Sequence, residues 1–252
     1  MEDVTFIIPV KLESEDRRTN MRIVLKYLQE NFPSPIIIYE SDKESNEEFI
    51  RSCTIRPIEY MFEKNDTGIF HRTRLLNEMT KAARTKIVAN YDIDVLFPVR
   101  NYIQAEQVIS KHGFTASFPY GGKFYDIPKS QFHLLNKDDI EKINLTECEI
   151  INPDSVGGAF FFNKDEYFKT GLENENFISW GFEDFERVTR LYALGNKVIK
   201  LPGVCYHLTH YRDKNGDNTN PYYAHNRTEY TKIKCMSKEQ LEAYIKTWDW
   251  VK

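Results

Sequence analysis

The sequence predicts an α/β fold in one domain, with a largely parallel sheet flanked by helices. Two observations carry this. Strand, helix and strand follow one another within the first 40 residues, the opening of a βαβ unit, which favours parallel pairing. The same alternation of short apolar runs and amphipathic stretches recurs later in the 252 residues, with no internal repeat, low-complexity tract or clear linker. One unit covering 1–252 is therefore expected, since length is only a soft guide to domain number.

Val4-Thr5-Phe6-Ile7-Ile8-Pro9-Val10 is a β-branched run closed by a proline and reads as a buried first strand. Met21, Val24, Leu25 and Leu28 recur at helical spacing, and Pro33 and Pro35 break the chain before a second buried strand, Ile36-Ile37-Ile38-Tyr39. Leu75, Leu76, Met79, Ala82 and Ala83 form the apolar stripe of the next helix. It leads into a third strand, Lys86-Ile87-Val88-Ala89-Asn90-Tyr91, which ends at Asp92-Ile93-Asp94. Between Gly121-Gly122 and Glu149 only loops around a short helix are legible. Gly157-Gly158 precedes a strand, Ala159-Phe160-Phe161-Phe162, and Asp165-Glu166-Tyr167-Phe168 begins a helical turn. Phe185, Val188, Leu191 and Tyr192 make a helical stripe that stops at Gly195, and Lys197-Val198-Ile199-Lys200-Leu201 reads as the last strand. Ser237-Lys238-Glu239-Gln240 has the form of a capping box, with Leu241, Tyr244, Ile245 and Trp248 on one face beyond it.

With 41% hydrophobic and 14% aromatic residues the chain can bury a large core, which excludes a disordered protein. A net charge of −4 lacks the broad basic footprint of a nucleic-acid binder, so no nucleic-acid partner is expected. No window is apolar enough to span a bilayer, and the acidic start, Met1-Glu2-Asp3, is unlike a signal peptide. Cys53, Cys148, Cys205 and Cys235 are scattered without a C-x-x-C pair, which points to free thiols in a reducing compartment.

Four stretches could carry chemistry. Asp92-Ile93-Asp94 at a strand end would turn two carboxylates the same way into the crevice where α/β sheets bind ligands. Paired hard oxygen donors suit Mn²⁺ or Mg²⁺ shared with a diphosphate, although a solvated strand end would look the same. His207-Leu208-Thr209-His210 puts two imidazoles three residues apart after a strand, able to complete such a site or simply to pack locally. In Ser179-Trp180-Gly181-Phe182-Glu183-Asp184-Phe185-Glu186 the acids fit a helix start capped by Ser179. Trp180-Gly181 is not explained that way, and an aromatic at a helix entrance can stack on a sugar while Asp184 or Glu183 acts as general base. In Phe70-His71-Arg72-Thr73-Arg74 a helix start carries arginines suited to a phosphate or a base edge, or only to solvent.

Taken in order, Ile8-Pro9-Val10, Phe70-His71-Arg72, Asp92-Ile93-Asp94, Gly157-Gly158, Trp180-Gly181-Phe182-Glu183-Asp184 and His207…His210-Tyr211-Arg212-Asp213-Lys214 resemble the β-1,4-galactosyltransferase family. The resemblance runs over about 4–221 and is strongest over 156–214. It implies the GT-A fold, a Rossmann-like mixed sheet flanked by helices, and inverting sugar transfer from a UDP-sugar with Mn²⁺, Mg²⁺ being the substitute ion. Residues 1–98 would form the nucleotide-sugar half and 99–252 the acceptor-binding and catalytic half with its C-terminal helix. The resemblance places Asp94 and His210 on the metal. It sets His207 where many members have methionine, leaving open whether it binds the ion or supports it, and Asp92 beside the ion toward the donor. It places Pro9, Lys11, Phe70 and Arg72 at the nucleotide. Trp180 and Gly181 fall at the sugar, Gly158 under the acceptor, Glu183 at an acceptor contact, and Asp184 is the catalytic base.

The family's W-G-G-E-D-D-D reads Trp180-Gly181-Phe182-Glu183-Asp184-Phe185-Glu186 here, so Phe182 is expected to narrow the acceptor pocket. Ser155, two places before the glycine pair, leaves the donor open between galactose and N-acetylgalactosamine. Animal members carry a membrane anchor and none is evident here. The expectation is a soluble bacterial enzyme, cytoplasmic or peripheral at the inner membrane face, building surface polysaccharide on a saccharide acceptor. Three rivals use the same residues: a transferase with another sugar nucleotide and Glu183 or Glu186 as base, a metal-dependent phosphoesterase on the Asp and His set, and a carbohydrate-binding module without chemistry. The sequence leaves the oligomeric state unknown.

Overall fold

The computed structural model describes residues 1–210 and 219–252. The chain opens with β1 (Val4–Val10), an inner strand every residue of which is buried. It lies parallel between β2 (Ile36–Asp42) and β4 (Ile87–Tyr91). A strand covered on both faces needs a continuous apolar run, which is what the sequence provides. Pro9 is tolerated because pairing with β4 ends at Ile7, before the proline's missing N–H would be required. α1 (Glu15–Asn31) starts where Ser14 accepts the Arg17 N–H at 3.2 Å, and it buries Met21, Val24, Leu25 and Leu28 as their spacing predicts.

The seven-stranded sheet runs β10-β6-β9-β4-β1-β2-β3 and is parallel except at β9. Here β3 is Glu59–Lys64, β6 Ala116–Phe118, β9 Ala159–Asn163 and β10 Val198–Lys200. Antiparallel β9 makes the sheet mixed. A smaller sheet, β5-β11-β7-β8, joins β5 (Val95–Leu96), β11 (Cys205–Leu208), β7 (Phe124–Ile127) and β8 (Glu149–Asn152). The helices α2 (Glu47–Ser52), α3 (Arg72–Ala82), α4 (Val99–Ser110), α5 (Lys164–Lys169), α6 (Glu183–Ala193), α7 (Tyr223–Lys234) and α8 (Lys238–Ile245) complete the described elements. One apolar cluster runs through both sheets, and a smaller one gathers Ile233, Leu241, Ile245 and Trp248 at the C-terminal end. No described helix is long and apolar enough to cross a membrane, and all four cysteines are free thiols.

Several expectations change. The strand at 197–201 is not the last, because β11 follows it. The loops around 121–149 hold β7 and three short 3₁₀ turns, and α2, β3, α4, β5 and β6 were not read from the sequence. Ser179 does not cap α6: the helix starts at Glu183 behind Phe182, and the Ser179 hydroxyl accepts from Asn220 at 2.7 Å. Asp92-Ile93-Asp94 lies in the turn joining β4 to β5 rather than in a strand. Strand alternation is therefore not what aims its carboxylates, although Ile93 is buried as expected.

Candidate active site

The C-terminal ends of β1 and β4 open into a cleft that the small sheet and the start of α6 close from the other side. Pro9, Val10 and Lys11 leave β1 along one wall, with Gly68 and Phe70 beside them, and Lys11 Nζ donates to the Gly68 carbonyl at 3.4 Å. Asp92, Asp94, His207, His210, Ser179, Trp180, Glu183 and Asp184 line the same cleft. This is the position at which open α/β sheets bind ligands.

Asp94, His207 and His210 bring one donor atom each to within 4.8 Å of the others. His210 Nε2 lies 3.1 Å and His207 Nε2 4.0 Å from Asp94 Oδ2. Arg17 Nη1 reaches that same oxygen at 2.6 Å, so a cation already stands against the carboxylate. Burial opposes ionisation of Asp94, but Arg17 and the two imidazoles outweigh it and hold its carboxyl well below the usual range. A carboxylate and two imidazoles with a cation on them fit a divalent ion, and the nitrogen donors favour Mn²⁺ over Mg²⁺.

Asp92 faces a different partner. Arg72, the first residue of α3, donates to Asp92 Oδ1 at 2.7 Å and to Asn90 Oδ1 at 3.2 Å. Burial raises the Asp92 carboxyl, Arg72 pulls it down, and Asp94 and Asp184 push it up again. Asp92 also donates its backbone N–H to the Gly158 carbonyl at 2.8 Å. Gly158 is buried behind the cleft wall at φ +77°, where a Cβ would come 2.8 Å from the Phe124 ring. At Gly157 a Cβ would meet Asp184 Oδ2 at 2.7 Å, so the glycine pair lets both aspartates approach this backbone.

Asp184 Oδ1 sits 2.8 Å from Arg187 Nη2 and 3.6 Å from Arg72 Nη1. Neither contact forms a hydrogen bond, and all three atoms are buried without a hydrogen-bond partner. Arg187 is itself buried and donates from Nε to both Glu173 oxygens, at 2.9 and 3.1 Å. Glu183 Oε2 accepts the Gly181 N–H at 2.8 Å. Burial, with Asp184 adding to it, pushes the Glu183 carboxyl up to about 7. Glu186 points away and pairs with Arg190 at 2.7 Å in a buried contact outside the cleft, which removes it as a candidate base.

Trp180 is 40% exposed on a strained loop: Ser179 and Phe182 have φ +61° and +71°, and Gly181 +112° between them. A left-handed non-glycine residue costs roughly 1–2 kcal/mol. Packing offsets this, since the Phe182 ring stacks on Tyr230 at 5.6 Å and leans on Tyr223 at 5.0 Å. Phe182, expected to narrow the acceptor pocket, is thereby turned toward α7 and does not line the cleft. Gly181 is the buried residue of this loop, and Ser155 is buried with its hydroxyl accepting the Gly157 N–H at 3.1 Å.

The structure therefore brings Pro9, Lys11, Phe70, Arg72, Asp92, Asp94, Trp180, Glu183, Asp184, His207 and His210 to one cleft and leaves Gly158 and Gly181 in its supporting wall. Tyr211-Arg212-Asp213-Lys214 lies outside the described residues. Sequence reading missed Arg17, Phe124 and Asp126. The last accepts from His207 Nδ1 at 2.6 Å, and none of the three belongs to a recognisable motif.

No family model matches the chain, and no curated protein matches it in sequence. Solved structures do match it in fold. A mannosyltransferase from Pyrobaculum calidifontis in complex with GDP-mannose and Mn²⁺ superposes with TM-score 0.57 and 16% identity, covering 96% of this chain and 69% of that one. Glucosyl-3-phosphoglycerate synthase from Mycobacterium tuberculosis, with Mn²⁺, UDP and phosphoglyceric acid, gives 0.55 and 11%, covering 91% and 78%. Drosophila β-1,4-galactosyltransferase 7, with manganese, UDP-galactose and xylobiose, gives 0.51 and 14%, covering 83% and 72%. The fold is that of the GT-A glycosyltransferases.

Proposed function

We propose that the protein is an inverting, metal-dependent glycosyltransferase that moves a sugar, galactose or N-acetylgalactosamine, from a UDP-sugar to a saccharide acceptor. The observation that carries this is the meeting, in one cleft of a GT-A fold, of the donor set Asp94, His207 and His210 with a clamped carboxylate, Asp184. Fold alone would not license an activity, because one fold hosts many functions. The three solved structures named above are similar in fold and contain Mn²⁺ with a nucleotide or sugar nucleotide.

In this reading residues 1–98 supply the nucleotide-sugar half and 99–252 the acceptor and catalytic half. Pro9, Lys11 and Phe70 receive the nucleotide, and Arg72 ties that wall to Asp92. Asp94, His207 and His210 hold the metal. When bound, the ion supplies a Lewis acid that neutralises charge on the leaving diphosphate. Asp184 accepts the proton of the acceptor hydroxyl as its oxygen forms the new bond to the anomeric carbon. The bond from that carbon to the diphosphate oxygen breaks, and UDP leaves from the opposite face. Arg187 and Arg72 stand against Asp184 and orient it, Glu183 holds the acceptor, and Trp180 over Gly181 covers the sugar. Free thiols are in keeping with a cytoplasmic setting, and polysaccharide synthesis is the role that fits a saccharide acceptor there.

A second reading keeps the chemistry and changes the nucleotide, since a structure holding GDP-mannose also shares the fold. Thermal shifts with UDP, GDP, CDP and ADP, each with and without Mn²⁺, separate the two. A ligand at about 100 times its Kd adds roughly 2.7 kcal/mol, which raises Tm by about 5 °C or more for a chain of this size. A rise with UDP that needs Mn²⁺ and disappears in Asp94→Ala supports the proposal. A rise with GDP alone moves the donor to GDP-sugars, and no response to any nucleotide refutes both. Transfer assays with UDP-galactose and UDP-N-acetylgalactosamine then decide the sugar, and phosphate release without transfer would indicate a phosphoesterase instead.

A further inference from the structure

We propose that Asp126 is a positioning residue that makes His207 a metal ligand through its Nε2 atom, an inference that rests on the metal-dependent reading above. β7 and β11 run parallel, and in their register Asp126 is the direct partner of His207. Asp126 Oδ1 lies 2.6 Å from His207 Nδ1. A carboxylate at that distance accepts a hydrogen bond from Nδ1–H, which leaves the ring's lone pair on Nε2, the tautomer a metal requires.

The ring's aim follows from the same pairing. His207 is buried, with Phe124 against it at 5.6 Å and the His210 ring at 5.2 Å. With Nδ1 fixed on β7, Nε2 is directed toward Asp94 Oδ2, 4.0 Å away. An imidazole that served only to pack β11 would need neither a carboxylate partner nor an Nε2 facing two other donors. A carboxylate rather than a backbone carbonyl also makes the nitrogen a stronger donor. The ion this set takes is a divalent transition cation rather than Mg²⁺, because two of its three atoms are imidazole nitrogens.

The test is Mn²⁺ binding by the full chain, alone and with UDP, followed by EPR titration. Pulsed EPR counts the imidazole nitrogens coupled to the ion, and thermal unfolding monitors the fold. Asp126→Ala should weaken Mn²⁺ binding by about 10- to 100-fold, as loss of such an outer partner does. Asp126→Asn, whose amide oxygen can still accept a hydrogen bond from Nδ1–H, should lose less, about 3- to 10-fold. Wild type should show two coupled imidazoles and His207→Ala one. Asp126→Ala added to His207→Ala should cost nothing further, because both act through one ligand. A Kd within about threefold of wild type in Asp126→Ala, an unchanged Kd in Asp126→Asn should the alanine variant not fold, or a single imidazole in wild type, overturns the proposal. Failure of wild type to bind Mn²⁺ even with UDP would instead overturn the metal-dependent reading, and this inference with it.

Discussion

Replacing Glu183 by Gln should stabilise the metal-free protein, and should do so more strongly as the pH rises. The folded chain holds this carboxyl up to about 7 against an ordinary 4.5, a displacement of 2.5 units. At 1.36 kcal/mol per unit, that is about 3 kcal/mol when the group is fully ionised in both states. The sign follows from proton binding. Between 4.5 and 7 the folded chain holds the proton that the unfolded chain has lost, so stability falls as pH rises through that window and the full cost applies above 7. Glutamine cannot ionise, and its amide oxygen can still accept the Gly181 N–H that Glu183 accepts at 2.8 Å. The gain should therefore be under about 1 kcal/mol at pH 5 and about 3 kcal/mol at pH 8. For a chain of 252 residues the difference is about 5 °C in Tm. Thermal unfolding of both proteins in EDTA at the two pH values measures it directly. Equal gains at both pH values, or none at pH 8, would show that Glu183 is not a strained acid and that the desolvation argument is wrong.

Other consequences of the geometry can be checked separately. Asp184→Asn should lower transfer by about 10² to 10⁴ while leaving the Mn²⁺-dependent shift with UDP intact; turnover near wild type would remove Asp184 as the base. Arg17→Met frees the Asp94 oxygen that Arg17 contacts at 2.6 Å. It should tighten Mn²⁺ binding in the absence of nucleotide, by about tenfold for each 1.4 kcal/mol of competition released, and weaker binding would show that Arg17 supports the ion site. Arg187→Met leaves Glu173, 2% exposed, without its guanidinium. Urea unfolding should report a loss of about 3–5 kcal/mol, and a loss below about 1 kcal/mol would refute the view that this pair is held together by need.

Legibility differed between the two halves of the chain for a physical reason. β1, β2, β4 and the helices α1 and α3 are buried on the faces that periodicity reports, so their apolar runs announced them. β3, whose residues are exposed or half-buried, sits at the sheet edge. β7 and β8 are short strands of the small sheet with several exposed or half-buried positions. None carries a sustained pattern. Among site residues, those in compact motifs were found and those that act through a neighbour were not. Asp126 is recognisable only once β7 and β11 are paired, and Arg17 only once α1 is docked over the Asp94 turn. Asp92 and Asp94 were found for a reason that the fold does not support: they sit in a turn, and Arg72, Arg17 and His210 orient them.

α6 shows why pattern and position parted where the chemistry lies. Its sequence reads as an apolar stripe of Phe185, Val188, Leu191 and Tyr192, yet Phe185 and Tyr192 are 46% and 57% exposed. The face turned inward instead carries Glu183, Glu186, Arg187 and Arg190 with Leu191. Burying four ionisable groups on one helix is unfavourable unless each is paired, and here each is engaged. Arg190 meets Glu186 and donates to the Leu172 carbonyl at 2.7 Å. Arg187 meets Glu173 and Asp184, and Glu183 takes the Gly181 N–H. A helix rotated to bury Phe185 and Tyr192 would gain apolar contact, but it would carry Asp184 off the cleft and Arg187 away from it. This departure from the hydrophobic pattern falls on the helix that presents the proposed base, where local preference is expected to yield to the site.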